Sequence, residues 1–197
     1  MKGEDTRQNI IRQAAAVFNR LGYAAASVSD LEEATGLRTG GIYRHFPGGK
    51  EALALEAFDY ATARRFAKLA AAIADGHGAV DQLHRFLDAF ATPAPESLPG
   101  GCAVMNTAIE HDHAGSPALR ARARRAVDQW RALIEQVITQ GRARGELRAD
   151  VDPASVATIF IASLEGATML GGLYRDRQPR RDIVAHLTRY VDDQLKA

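Results

Sequence analysis

Apolar positions recur at three and four residues along almost the whole chain, and the elements they predict are helices. Over 6–21 the apolar line is Ile10, Ile11, Ala14, Val17, Phe18 and Leu21, with Asp5 placed to cap its start and Gly22 to end it. A second helix starts at Ser27, because Ser27-Val28-Ser29-Asp30 has the form of a capping box. Gly36 stops it. A short third helix is predicted from Thr39 to Phe46, broken by Pro47-Gly48-Gly49. Longer helices follow. One runs from Lys50 to about Ala74, and one over 79–91 lines up Val80, Leu83, Phe86, Leu87 and Phe90. A helical stretch covers 102–112. Pro117 opens a helix to about Arg144, Pro153 opens another to about Tyr174, and the last runs from about Arg181 to Leu195. The run TPAPESLPGG, 92–101, is the clearest loop. The pattern contains no strand signal and no repeat.

The expected fold is therefore all-α with about nine helices. A three-helix domain, 1–49, precedes a larger helical domain, 50–197, with the boundary at the Pro47–Lys50 break.

The middle of the first domain carries the chemistry. Two short helices joined by a tight glycine turn form a helix-turn-helix. In this arrangement Gly36 takes a left-handed conformation, and Leu37 returns to a small core with Val28, Leu31, Ile42 and Phe46. The third helix is the one such motifs place in the DNA major groove. A glycine inside it costs ~1 kcal/mol relative to alanine, so Gly40 or Gly41 calls for a return, and close approach to DNA supplies one. Arg38 and Thr39 stand at the helix start, where free N–H groups are expected to face outward. Tyr43 and His45 can donate to phosphate, Arg44 can reach a guanine edge in the bidentate manner, and Lys50 begins the next helix within expected reach of phosphate.

Residues 7–56 resemble the DNA-binding domain of the TetR family of transcriptional regulators. The matching positions are Arg7, Ile10-Ile11, Ala14-Ala15, Phe18, Leu21-Gly22-Tyr23, Ser27-Val28, Asp30-Leu31, Ala34, Gly36-Leu37, Gly40, Ile42-Tyr43, His45-Phe46 and Lys50-Glu51-Ala52-Leu53. Two positions depart from the family pattern. Ala26 stands where the family often has threonine, so a capping or phosphate-contacting hydroxyl is either lost or passed to Ser27. Gly49 lengthens the usual F-x-x-K-E by one residue, and FPGGKEAL resembles the LmrA/YxaF-like branch. The resemblance implies a homodimer on a palindromic double-stranded operator. It also implies a small-molecule effector bound by the second domain, whose binding releases the DNA, and a dimer bundle built from the last two helices.

Composition narrows the picture further. The net charge of +1 over 197 residues gives no bulk attraction to polyanions, so a basic surface must be local. A single cysteine cannot form an internal disulfide, which fits a reducing cytosol. MKGEDTRQ lacks a signal-peptide core, and no apolar run approaches the ~20 residues of a membrane span. A cytoplasmic protein with no membrane partner is expected.

The second half is less explicit. Gly101-Cys102-x-x-x-Asn106-Thr107-x-x-Glu110 resembles a motif found in several TetR branches. Cys102 at a helix N-terminus suggests either a redox or electrophile sensor or, on the simpler reading, a small inert thiol. Asn106 bonds either the neighbouring loop or a ligand. His111-Asp112-His113 puts its imidazoles on different sides of a helix end, so no metal is expected. In LRARARRAVDQWR the arginines fall between apolar positions, as on a solvated helix face. By position, Phe66, Phe86, Phe90, Met105, Asn106, Ile109, Trp130, Leu133 and Phe160 are the candidate pocket walls, and their character points to a hydrophobic or aromatic effector. The same residues also suit plain core. No nucleophile, base and orienting group come together among His84, Cys102, His111 and His113, so neither catalysis nor a cofactor is expected.

Overall fold

A computed structural model describes residues 2–92, 98–112 and 115–197. Among them are nine α-helices: α1 (Lys2–Leu21), α2 (Val28–Thr35), α3 (Thr39–Tyr43), α4 (Gly49–Ala74), α5 (Ala79–Ala91), α6 (Ala103–Glu110), α7 (Pro117–Ala143), α8 (Pro153–Tyr174) and α9 (Gln178–Tyr190). A π-helical turn, Val191–Leu195, follows α9. The described residues form no sheet; an isolated antiparallel bridge joins Leu147 and Lys196.

The chain forms two compact units. The first comprises Met1–Arg64 and Leu98–Ala126, the second Arg65–Ser97 and Val127–Ala197. The sequence break at 49/50 lies inside the first unit, because α4 continues to pack there beyond its first turn: Leu53 and Ala57 are buried in the same core as Ile10, Ala14, Leu31, Ile42 and Phe46. Helices α4 and α7 each pass from one unit into the other along the chain.

Several local expectations shift. α1 begins at Lys2, so Asp5 lies within its first turn beside Glu4 and does not cap it; acidic groups there favour the positive end of the helix dipole. α3 stops at Tyr43 instead of Phe46. His45 N–H donates to the Ile42 carbonyl and Phe46 N–H to the Tyr43 carbonyl, three residues back, so the last turn tightens before Pro47. Val28 opens α2 and is 37% exposed, outside the small core, whereas Ala26 is buried at 1% within it. The methyl group of Ala26 thus packs where the family often carries a hydroxyl. Pro179 sits in the first turn of α9, where its missing N–H removes nothing.

In the second unit Leu83, Phe86, Leu87 and Phe90 of α5 are buried, as are Trp130, Ile134, Val137 and Ile138 of α7. From α8, Val156, Ala157, Phe160, Leu164 and Ala167 are buried, and from the C-terminal end Leu187, Val191 and Leu195. α8 corrects another expectation. By length and composition it is apolar enough to cross a membrane, with a mean hydropathy of 1.5 over its most apolar window. Its small and polar residues disguise that run in the sequence, and one of its sides is packed into protein core.

Candidate functional site

The first unit presents its third helix on two anchors. Ile42 and Phe46 are buried beneath α3, while Arg38, Thr39, Gly40 and Arg44 are exposed. Gly36 ends α2 at φ 70°, and its N–H donates to the Glu32 carbonyl. That left-handed residue turns the chain from α2 into α3, where a side chain would be strained.

Ser27 caps α2 through the expected box. Its hydroxyl accepts from Asp30 N–H at 3.1 Å and donates to the Asp30 carboxylate at 2.5 Å, and Ser27 N–H donates to the same carboxylate at 2.7 Å. These bonds hold the Asp30 carboxyl below its ordinary pKa.

The start of α3 differs from the sequence expectation of free outward N–H groups. Arg38 is the N-cap and supplies no side-chain cap. Glu32, from α2, does so instead. Its carboxylate accepts both the Thr39 N–H and the Thr39 hydroxyl, each at 2.6 Å, and Arg38 Nη1 lies 3.6 Å from its other oxygen. The Thr39 hydrogen bonds hold the Glu32 carboxyl below its usual range. A depressed folded-state pKa means the cap stands at neutral pH and is lost only as acid titrates the carboxylate. Sequence reasoning missed Glu32 because the contact spans seven residues across a turn and belongs to no local capping pattern.

The protein's own packing does not require a glycine at 40. A Cβ built on it would meet nothing within 4 Å, and one on Gly41 would make only an ordinary contact with Leu37 Cβ at 3.6 Å. Nothing inside the protein requires either glycine. Gly40→Ala should therefore raise stability, by about 0.5–1 kcal/mol, while weakening DNA binding about ten-fold or more. Thermal unfolding and a DNA titration check the two effects; an alanine variant that binds like the native protein removes close approach as the reason for the glycine.

Three other candidates are placed differently from expectation. Tyr43 is half-buried against the unit's core, which pushes its hydroxyl pKa up. His45 has its Nε2 buried without a hydrogen-bond partner among the described residues, so that nitrogen does not face solvent as a phosphate donor. Lys50 folds onto the α1–α2 turn, with Nζ 4.7 Å over the Tyr23 ring and 3.5 Å from the Ala24 carbonyl.

Behind this face, α6 is tied to α1. Asn106 Nδ2 donates to the carbonyls of Gly100 (2.8 Å) and Asn19 (3.2 Å), and Asn19 Nδ2 donates to those of Pro99 (2.7 Å) and Gly101 (3.1 Å). Of the two roles left open for Asn106, the loop takes its amide. The Glu110 carboxylate accepts the N–H groups of Tyr23 (2.8 Å) and Ala24 (2.6 Å). Ser116 donates to Glu51, and Arg122 pairs with Asp59. A cavity of about 30 Å³ lies among Phe18, Tyr23, Asn106, Glu110 and His111, room for one or two waters and too small for an effector. His111 is buried, and its Nδ1 accepts the Ser116 N–H at 3.2 Å. His113 lies outside the described residues, among which no three His, Cys, Asp or Glu side chains form a metal site. Cys102 is half-buried at the N-cap of α6. Arg120, Arg124 and Arg125 are exposed, as a solvated face requires.

The pocket candidates divide between the units. Met105, Asn106 and Ile109 belong to the first, and Ile109 is 68% exposed, so it walls no pocket there. Phe66, Phe86, Phe90, Trp130, Leu133 and Phe160 belong to the second. Four of these are buried and touch. Ring centroids are 6.1 Å apart for Phe86 and Phe90, 6.5 Å for Phe86 and Phe160, and 5.9 Å for Phe90 and Trp130, the last edge-on. Arg65 lies 4.3 Å over the Phe90 ring and donates to the Phe90 carbonyl at 2.6 Å. Phe66 and Leu133 are half-buried.

Comparison with known proteins gives two family matches. Residues 10–57 match "Bacterial regulatory proteins, tetR family", and residues 79–187 match "Tetracyclin repressor-like, C-terminal domain". A crystal structure of a TetR transcriptional regulator from Chloroflexus aurantiacus superposes with a TM-score of 0.93 at 43% identity, covering 99% of this chain and 98% of that one. The transcriptional repressor DhaR of a Mycobacterium species is 28% identical over 174 residues, 88% of this chain and 85% of its own. The regulator LmrA of Bacillus subtilis is 26% identical over 197 residues, 98% and 97% of the two chains.

Proposed function

The chain belongs to the TetR family of bacterial transcriptional regulators, and on that premise we propose that it represses from a palindromic operator as a homodimer, releasing the DNA when a small hydrophobic or aromatic effector enters its second unit. It is a DNA-binding regulator and not an enzyme. Its place of action is the cytoplasm, with the operator and the effector as its partners.

The observation that carries the reading is the outer face of α3. Arg38, Thr39, Gly40 and Arg44 are exposed there, and Gly40 leaves room that no part of the protein uses. Arg44 is the base reader in this proposal. Arg44→Ala should cost about 1–3 kcal/mol of binding and relax preference at one position of each half-site. Equal weakening on every sequence would make Arg44 a backbone contact instead. The test is selection of bound duplexes from a random pool by the purified protein. Tyr43→Phe serves as control, because it removes a hydroxyl while keeping the ring that packs against the core. Recovery of a palindrome supports both DNA recognition and two-fold symmetry; failure of the folded protein to enrich any sequence at low salt removes the operator reading.

The homodimer is supported by an apolar stripe on α8. Ile159, Met169, Leu170, Leu173 and Tyr174 are exposed at helical spacing, the last two at 70%. A stripe of this kind on a helix otherwise packed in the core is what a second copy would cover. The effector site is supported by the aromatic group of Phe86, Phe90, Trp130 and Phe160, with Phe66 and Leu133 beside it in sequence register. Trp130 is the chain's one tryptophan, so its emission reports directly on compounds that enter this group.

A further inference from the structure

Building on the DNA-binding reading, we propose that Thr39 determines operator specificity by accepting a hydrogen bond from an exocyclic amino group, adenine N6 or cytosine N4, with Glu32 as the residue that fixes this polarity. The argument rests on where one proton goes. An ionised carboxylate can only accept. Glu32 Oε1 lies 2.6 Å from both Thr39 N and Thr39 Oγ1, so the hydroxyl donates inward and its rotamer is pinned by the backbone bond beside it. No described residue donates to Thr39 Oγ1, and Thr39 is exposed at the start of the helix that faces outward. What it offers DNA is therefore a pair of lone pairs and no donor.

DNA contains few groups that suit such a surface. Phosphate oxygens, guanine N7 and O6, and thymine O4 all accept; in the major groove only adenine N6 and cytosine N4 donate. A threonine free to rotate would take either kind and would read little. Held by Glu32, it rejects guanine and thymine and cannot bind phosphate. Ser27 shows the contrast within the same unit. Its proton is likewise committed to Asp30, but its oxygen also accepts the Asp30 N–H, which closes the box on itself. Glu32 is a positioning residue here: it touches Thr39 and, at 3.6 Å, Arg38, and shapes what the helix presents.

The experiment compares selected-DNA profiles and operator titrations for the native protein, Thr39→Val and Glu32→Ala. The native profile should show adenine or cytosine at one position of each half-site. Thr39→Val should lose that preference, binding the native operator about 3- to 10-fold more weakly and binding an operator altered at that position no differently from the native one. Glu32→Ala should spread the preference to guanine and thymine, because the hydroxyl can then donate. Deleting the amino group from the DNA, with purine in place of adenine or 2-pyrimidinone in place of cytosine, should weaken the native protein by the same factor and leave Thr39→Val unaffected. That arm needs no variant to fold. The proposal is overturned if amino deletion leaves native binding unchanged, if Thr39→Val weakens all sequences by one factor, or if its profile equals the native one. Absence of any selected sequence with native protein overturns the DNA-binding reading itself and this proposal with it.

Discussion

Operator affinity should fall about a hundred-fold as salt rises from about 50 to about 200 mM. The chain carries a net charge of only +1, so its attraction to DNA comes from local groups and not from the field of the whole molecule. Arg38 is exposed on the outer face of α3, and Lys50 stands at the start of α4, while Arg44 is assigned to a base edge. In a homodimer Arg38 and Lys50 make about four phosphate contacts, and each phosphate neutralised releases counterions. Lys50 is the weakest member, because its ammonium already rests over Tyr23. Should it stay there on DNA, the log–log slope would drop by about two, which a titration at several salt concentrations resolves. A response that is nearly flat with salt would sink the phosphate contacts altogether.

Phe160→Ala should lower the unfolding free energy by about 3–5 kcal/mol. Phe160 is fully buried on α8 and its ring meets Phe86, which in turn meets Phe90. Removing the ring loses its transfer free energy and leaves a cavity among groups that relax only in part. Denaturant unfolding of the two proteins measures the difference. The same variant probes the effector site, because the cavity left beside Phe86 would admit apolar compounds that the native protein excludes. Apolar compounds that raise the stability of Phe160→Ala and leave the native protein unchanged would mark this group as core; compounds that stabilise the native protein more strongly would mark it as the effector wall. A loss below about 1 kcal/mol would contradict the packing described here.

Most of the helices were legible because their signals are local. The Ser27–Asp30 box, the left-handed Gly36, Pro117 and Pro153 in first turns, and the apolar line of α5 all act within a few residues along the chain. The sequence pattern and the structure part at the ends of the short helices. α3 was expected to reach Phe46, but the tightened turn before Pro47 ends it at Tyr43. Val28 suits an apolar position by type, yet its place at the first turn of α2 leaves it exposed while Ala26 is buried.

The candidate site divides in the same way. Which residues line the outer face of α3 followed from the motif alone. What each of them can do did not. The N–H and hydroxyl of Thr39 are taken by Glu32, the Nε2 of His45 is buried and not a phosphate donor, and the amide of Asn106 is taken by the loop at Gly100 and not by a ligand. Apolar periodicity and capping are written in spacings of three and four residues, so the sequence by itself determined the helices, the helix-turn-helix and the family. Hydrogen-bond polarity depends on groups brought together across turns and from distant parts of the chain, and only the tertiary structure decided it.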